Sequence, residues 1–157
     1  MYFRKEINPA DVRAVEDIVI STGFFNPREE EIAIELIEER LLKGESSGYY
    51  FIFAEVKEKT CAYSCFGLIE GTDSSYDLYW IVTHNNFRGI GIGKALLAET
   101  EKSIAELGGI GIYVETASKP QYTPTRHFYE SNGYILEARL KDFYAKDDDK
   151  LIYVKKV

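Results

Sequence analysis

Residues 85–97 of this chain read NNFRGIGIGKALL and follow the apolar run LYWIV at 78–82. Glycines at 89, 91 and 93 alternate with Ile90 and Ile92, then give way to Lys94 and a helical pattern. Glycine lets a backbone adopt positive φ and approach a ligand closely, and the first N–H groups of a helix have no intrahelical acceptor. A strand, a glycine loop and a helix start in this order build a backbone cradle for a phosphate, with the helix dipole favouring the anion. A plain tight turn needs neither three glycines nor an arginine and a helix start beside them.

Spacing decides which phosphate loop this is. A dinucleotide fingerprint requires G-x-G-x-x-G, but Lys94 stands three residues after Gly91 and the unit lies mid-chain. A P-loop requires G-x-x-x-x-G-K-[ST]; Gly93-Lys94 supplies its end, yet Arg88 occupies the first glycine position and Ala95 replaces the magnesium-binding hydroxyl. Both readings fail.

Working outward, hydrophobic periodicity gives an alternating series of elements without repeats. Residues 1–7 read as a strand, 10–20 as a short helix ending near Gly23, and Phe24, Phe25 and Asn26 as a loop. An acidic-first helix runs over 27–42, with Pro27 at its start, Gly44 after its end, and Ala33, Ile37 and Leu41 on one side. Strands at 49–56, 61–70 and 76–82 suggest an antiparallel meander. The helix over 91–107 gathers Ile92, Leu96, Leu97, Thr100, Ile104 and Leu107 on one face, as expected for packing on a sheet. A strand at 111–116, a loop with Pro120 and Pro124, a helix at 125–132 closed by Gly133, and strands at 135–144 and 151–157 complete the chain.

Composition narrows the function. The 157 residues fit one domain, 1–157, able to bury a core without staples. A net charge of −7 argues against a nucleic-acid partner, which would need a basic face to displace counterions. With no long apolar run and no leader pattern in MYFRKEINPADV, no membrane association is expected and the chain reads as cytoplasmic. Cys61 and Cys65 lie on one strand, too far apart in an extended backbone to bridge each other. Cys61, Cys65, His84 and His127 offer no recognisable zinc spacing, so no metal is expected.

What fits the loop is Arg88-x-x-Gly91-x-Gly93 after LYWIVTHNNF, together with TRHFYESNGY at 125–134. On these two motifs and the element order the chain resembles the GNAT superfamily of acetyl-CoA-dependent N-acetyltransferases, over essentially its whole length. The resemblance implies an α/β (α+β) fold, a mixed, mainly antiparallel sheet flanked by helices and splayed at its central strands. It implies acetyl-CoA as co-substrate and a primary amine as acceptor, on a small molecule or a peptide N-terminus. A homodimer is compatible with it. A CoA-binding module without transferase activity is the alternative.

The resemblance also assigns residues. The loop Arg88, Gly89, Ile90, Gly91, Ile92, Gly93 and Lys94 would hold the CoA pyrophosphate, mainly through backbone groups, with all three glycines free to take positive φ. Backbone groups of Ile81 and Val82 would hold pantetheine and the thioester oxygen. Tyr129 matches the family's general acid, which reprotonates the departing thiolate. For the base, Glu115 in IYVET comes first, because a carboxylate in a buried strand is costly without a task or a partner. A structural salt bridge explains it nearly as well, and Asp77, Glu70, Tyr144 or a chain of waters could substitute. Phe24, Phe25 and Tyr144 are expected at the acceptor entrance, since aromatics in loops suggest a binding surface; capping of the core is the competing reading. Two positions depart from the family pattern. Tyr122 stands where many members carry a CoA-contacting asparagine, and His84 stands where proline commonly follows the strand.

Overall fold

The computed structural model describes all 157 residues. Strand β1 (Tyr2–Arg4) precedes helices α1 (Asp11–Ser21) and α2 (Pro27–Lys43), then strands β2 (Tyr50–Val56), β3 (Lys59–Leu68) and β4 (Ser75–Thr83). Helix α3 (Ile92–Glu106), strand β5 (Gly111–Ala117), helix α4 (Thr123–Ser131) and strands β6 (Ile135–Ala145) and β7 (Asp148–Lys156) follow. The strands form one sheet in the order β1-β2-β3-β4-β5-β7-β6. Strands β4 and β5 pair in parallel, and their register covers three residues on each strand, Ser75–Asp77 against Gly111–Tyr113. Leu78–Thr83 lie beyond that register. The mixed, mainly antiparallel sheet flanked by helices is the one expected from the sequence.

The chain forms two compact units, Met1–Gly67 with Leu78–Ser103, and Leu68–Asp77 with Ile104–Val157. In the first, Val15, Ile18 and Val19 of α1 and Ala33 and Ile37 of α2 pack on Phe51, Phe53, Tyr63, Cys65 and Val82. Burying such side chains contributes about 1.5–3 kcal/mol each. On β3 the alternation sends Tyr63 and Cys65 to that cluster and Ser64 to the opposite face, where its hydroxyl bonds Thr100 of α3 at 2.8 Å. Helix α2 begins with a capping box: the Asn26 side chain accepts from Glu29 N–H and the Glu29 carboxylate accepts from Asn26 N–H. Arg4 ties β1 to its neighbours through ion pairs of 2.7 Å to Asp11 and to Glu55, which supply the partner that the buried Asp11 needs.

In the second unit β5 pairs with β7 along all seven of its residues. Tyr153 and Lys155 of β7 reach α4, bonding the Glu130 carboxylate at 3.2 Å and the Asn132 carbonyl at 3.0 Å. Gly133, at φ +89°, closes α4 in a Schellman arrangement, with Tyr134 N–H on the Tyr129 carbonyl and Gly133 N–H on that of Glu130.

Several boundaries differ from expectation. Strand β1 is three residues long, because Asn8 and Asp11 use local hydrogen bonds that turn the chain early. Pro124 lies in the first turn of α4, not in the preceding loop, since proline lacks only an N–H that a helix start leaves unused. Helix α3 ends at Glu106, so Leu107 falls outside it and is 45% exposed. Strand β7 starts at Asp148: the connection in AKDDDK is just Lys146 and Asp147, and Asp148 and Asp149 are buried. Asp149 is held there by Arg139 and by Asp142 N–H.

Candidate active site

In the first unit, β4 delivers the chain into the glycine loop. Gly89 and Gly91 have φ of +80° and +87°, and a Cβ on either would meet nothing within 4 Å. These glycines are therefore required by backbone conformation, and the space beside them is open. Gly93 is different: it sits in the first turn of α3 without positive φ, so the expectation of three such glycines holds for two. The first bond of α3 runs from Ala95 N–H to the Gly91 carbonyl, and the amides of Gly91, Ile92, Gly93 and Lys94 donate no hydrogen bond within the protein. Four aligned free donors at the start of a 15-residue helix form an anion cradle. Ile92 is 4% exposed and anchors the helix, whereas Ile90 is 69% exposed; Arg88 and Lys94 are exposed cations flanking the donors.

On β4, Val82 is buried in the core cluster and Ile81 is half-buried, and both lie beyond the three-residue register with β5. Phe25 packs on the same cluster and on Trp80, with ring centroids 4.9 Å apart, and Phe24 stacks edge-on against Phe25 at 5.2 Å. Phe25 thus caps the core. Phe25→Ala should cost about 2–3 kcal/mol of stability, at the low end for a partly buried phenylalanine. A thermal melt checks this; an unchanged Tm would return Phe25 to a purely surface role.

In the second unit, Tyr129 is 5% exposed, its ring meeting those of Phe128 and Tyr134 at 5.4 Å each. Burial pushes its phenol well above the ordinary tyrosine value, so it stays protonated at any physiological pH. Glu115 does not sit as expected. Its strand is buried, but its side chain points to the exposed face and pairs with Lys150 at 3.1 Å, so burial gives no reason for it to be strained. Register explains why: Asp77 lies opposite Tyr113, which alternation places on the same face as Glu115. Asp77 is half-buried beside Glu115, and desolvation, then the Glu115 charge, raise its carboxyl to about 6, with Lys150 opposing. An aspartate between Tyr76 and Leu78 in an apolar strand carries the same signal that singled out Glu115, and here it is the stronger one. Glu70 is exposed in the turn after β3. Tyr144 is 48% exposed, its phenol raised first by partial burial and then by Glu115, Tyr122 and Asp148. Phe143 covers the Lys150 ammonium at 4.5 Å.

No three His, Cys, Asp or Glu side chains cluster so as to hold a metal, and no helix is long and apolar enough to cross a membrane. Cys61 and Cys65 are free and buried, and burial pushes both thiols up.

The acetyltransferase (GNAT) domain family matches residues 47–136. A protein of Desulfovibrio desulfuricans assigned to the GNAT acetyltransferases is 41% identical over 99% of this chain and 98% of its own, with a TM-score of 0.97. An aminoglycoside 6'-N-acetyltransferase complexed with coenzyme A shares the fold at TM-score 0.78 and 18% identity, covering 99% of this chain and 97% of that one. The ribosomal-protein-alanine N-acetyltransferase of Brucella melitensis does so at TM-score 0.76 and 20% identity, over the full length of both. No curated protein matches. The chain belongs to the GNAT acetyltransferase family and is an acyltransferase.

Proposed function

We propose that this single-domain protein transfers acetyl from acetyl-CoA to a primary amine by direct attack. The observation that carries the reading is the row of four undonated amides, Gly91 to Lys94, behind two positive-φ glycines. Acetyl-CoA supplies an activated acyl carbon and a thiolate leaving group. In the first unit the loop amides, with Arg88 and Lys94 as flanking cations, bind the pyrophosphate, and backbone groups of Ile81 and Val82 orient the pantetheine arm. In the second unit Asp77 accepts the proton of the incoming ammonium and Tyr129 donates one toward the thiolate. Partial burial, and after it the Glu115 charge, hold Asp77 high enough to take that proton. The raised, buried thiols of Cys61 and Cys65 make poor nucleophiles, which favours direct transfer over a covalent relay. The neighbours are named for acceptors of two kinds, aminoglycosides and ribosomal-protein alanine.

Release of CoA thiol over an acceptor panel tests this reading; acetyl-CoA binding without turnover on any amine would leave a CoA-binding module. Asp77 gives a pH signature. The base must be ionised, so kcat should rise with pH through about 6. Asp77→Asn should lower kcat about tenfold and remove that limb, while Glu115→Gln should move the limb to lower pH. Stability should move the other way. A carboxyl raised in the folded state holds its proton more tightly there, so stability falls as pH climbs from about 4 to about 6 and stays lower above. Asp77→Asn removes that cost and should raise Tm at pH 8; a lower Tm would make Asp77 a structural residue.

A half-exposed Tyr144 fits the acceptor side. Tyr144→Ala should raise the acceptor KM severalfold with acetyl-CoA KM and Tm unchanged, as for loss of uniform binding. Equal weakening of both substrates would remove it from the acceptor site.

A further inference from the structure

The turn between β4 and the glycine loop, Asn85–Phe87, is fastened by two side chains from the first unit. Asn85 N–H donates to Ser21 Oγ at the end of α1 (3.0 Å), and Asn86 N–H donates to His84 Nδ1 (3.1 Å). Phe87 N–H donates to the His84 carbonyl (2.9 Å). Every amide of the turn is thus consumed, while those of Gly91–Lys94 a few residues later donate to nothing. His84 is itself fixed: it is 8% exposed, its N–H donates to the Cys61 carbonyl of β3 at 2.8 Å, and its ring meets Phe87 edge-on at 6.0 Å. Because Nδ1 accepts, the ring proton lies on Nε2, which faces Asp17 of α1 at 3.4 Å. Ser21 is oriented by donating its hydroxyl proton to the Ile18 carbonyl, which turns a lone pair toward Asn85.

We propose that His84 is a positioning residue for CoA binding: its imidazole caps the Asn85–Phe87 turn and, with Ser21 and Asp17 of α1, aims the free amides of the glycine loop at the pyrophosphate. The proposal rests on reading that loop as the CoA site. A backbone cradle works only if its donors are fixed before the anion arrives, and the loop itself contains two glycines at positive φ that give it no stiffness of its own. The rigidity must enter from the preceding turn. The His84 ring links the turn to α1, through Asn86 N–H on Nδ1 and Asp17 at Nε2, which an apolar side chain of the same shape cannot do; the backbone bond to β3 does not depend on the side chain.

The test compares His84→Phe, which keeps ring volume and deletes the acceptor, with His84→Asn, which restores a short capping acceptor. Binding of acetyl-CoA is measured by titration calorimetry and turnover by steady-state kinetics. His84→Phe should raise the acetyl-CoA Kd and KM about tenfold while kcat and the acceptor KM stay within about twofold, and His84→Asn should recover most of the loss. Ser21→Ala should raise the Kd about threefold by the same route. Wild-type acetyl-CoA affinity in His84→Phe overturns the proposal, as does an equal loss in His84→Phe and His84→Asn, which would mark packing. Should His84→Phe fail to melt cooperatively, Ser21→Ala decides, and an unchanged Kd there overturns the proposal. Absence of CoA binding by the unmodified protein would instead overturn the reading of the loop, and this inference with it.

Discussion

Gly91→Glu is expected to raise the acetyl-CoA dissociation constant by more than about 100-fold and to abolish turnover at ordinary concentrations. Gly91 stands at φ +87° beside open space, so the new side chain meets no clash, yet it places a carboxylate among the amides of Gly91–Lys94. Those donors and the helix dipole hold any anion that reaches them, and a tethered one competes at high effective concentration with the pyrophosphate. The positive φ adds about 1–3 kcal/mol of backbone strain for any L side chain. Gly91→Ala carries that strain without the charge and is the control: it should lower Tm to a similar extent and bind acetyl-CoA far better than Gly91→Glu. Isothermal titration of both variants checks this, and unchanged CoA affinity in Gly91→Glu would sink the assignment of the loop.

Tyr129→Phe should lower kcat by about 10²-fold or more with little change in the acetyl-CoA KM, because in the proposed mechanism the phenol acts only as the thiolate departs. The variant keeps the ring contacts to Phe128 and Tyr134, and the Schellman bond from Tyr134 N–H to the Tyr129 carbonyl is a backbone feature that the substitution leaves alone. Tm should therefore hold. With burial pushing the phenol upward, no alkaline limb from Tyr129 should appear in kcat within the accessible pH range. Normal turnover in Tyr129→Phe would assign the residue to packing alone.

The glycine loop was legible in the sequence because its chemistry is local. A helix start, glycines in the preceding residues and nearby cations are fixed by neighbours in the chain, and the spacing alone excluded two other phosphate loops. The same holds for α2, whose Asn26, Pro27 and Glu29 form a cap within one turn. Glu115 was the opposite case. Its run IYVET reads as buried, yet which face of a strand meets solvent is decided by its neighbours in the sheet, and here β4 and β7 set it beside Asp77 and Lys150. Hence the raised carboxyl is Asp77, a difference that no periodicity distinguishes.

By itself the sequence determined the order and type of the elements, the glycine loop ahead of a helix start and Tyr129 on its short helix, since hydrophobic period, capping and turn chemistry act over a few residues. Tertiary structure decided the rest: that β4 and β5 pair for three residues only, that Phe25 caps a core, and that His84 and Ser21, 63 positions apart (84 − 21), fasten one turn. Each of these depends on contacts between segments distant in the chain, and such contacts leave no mark on local propensity.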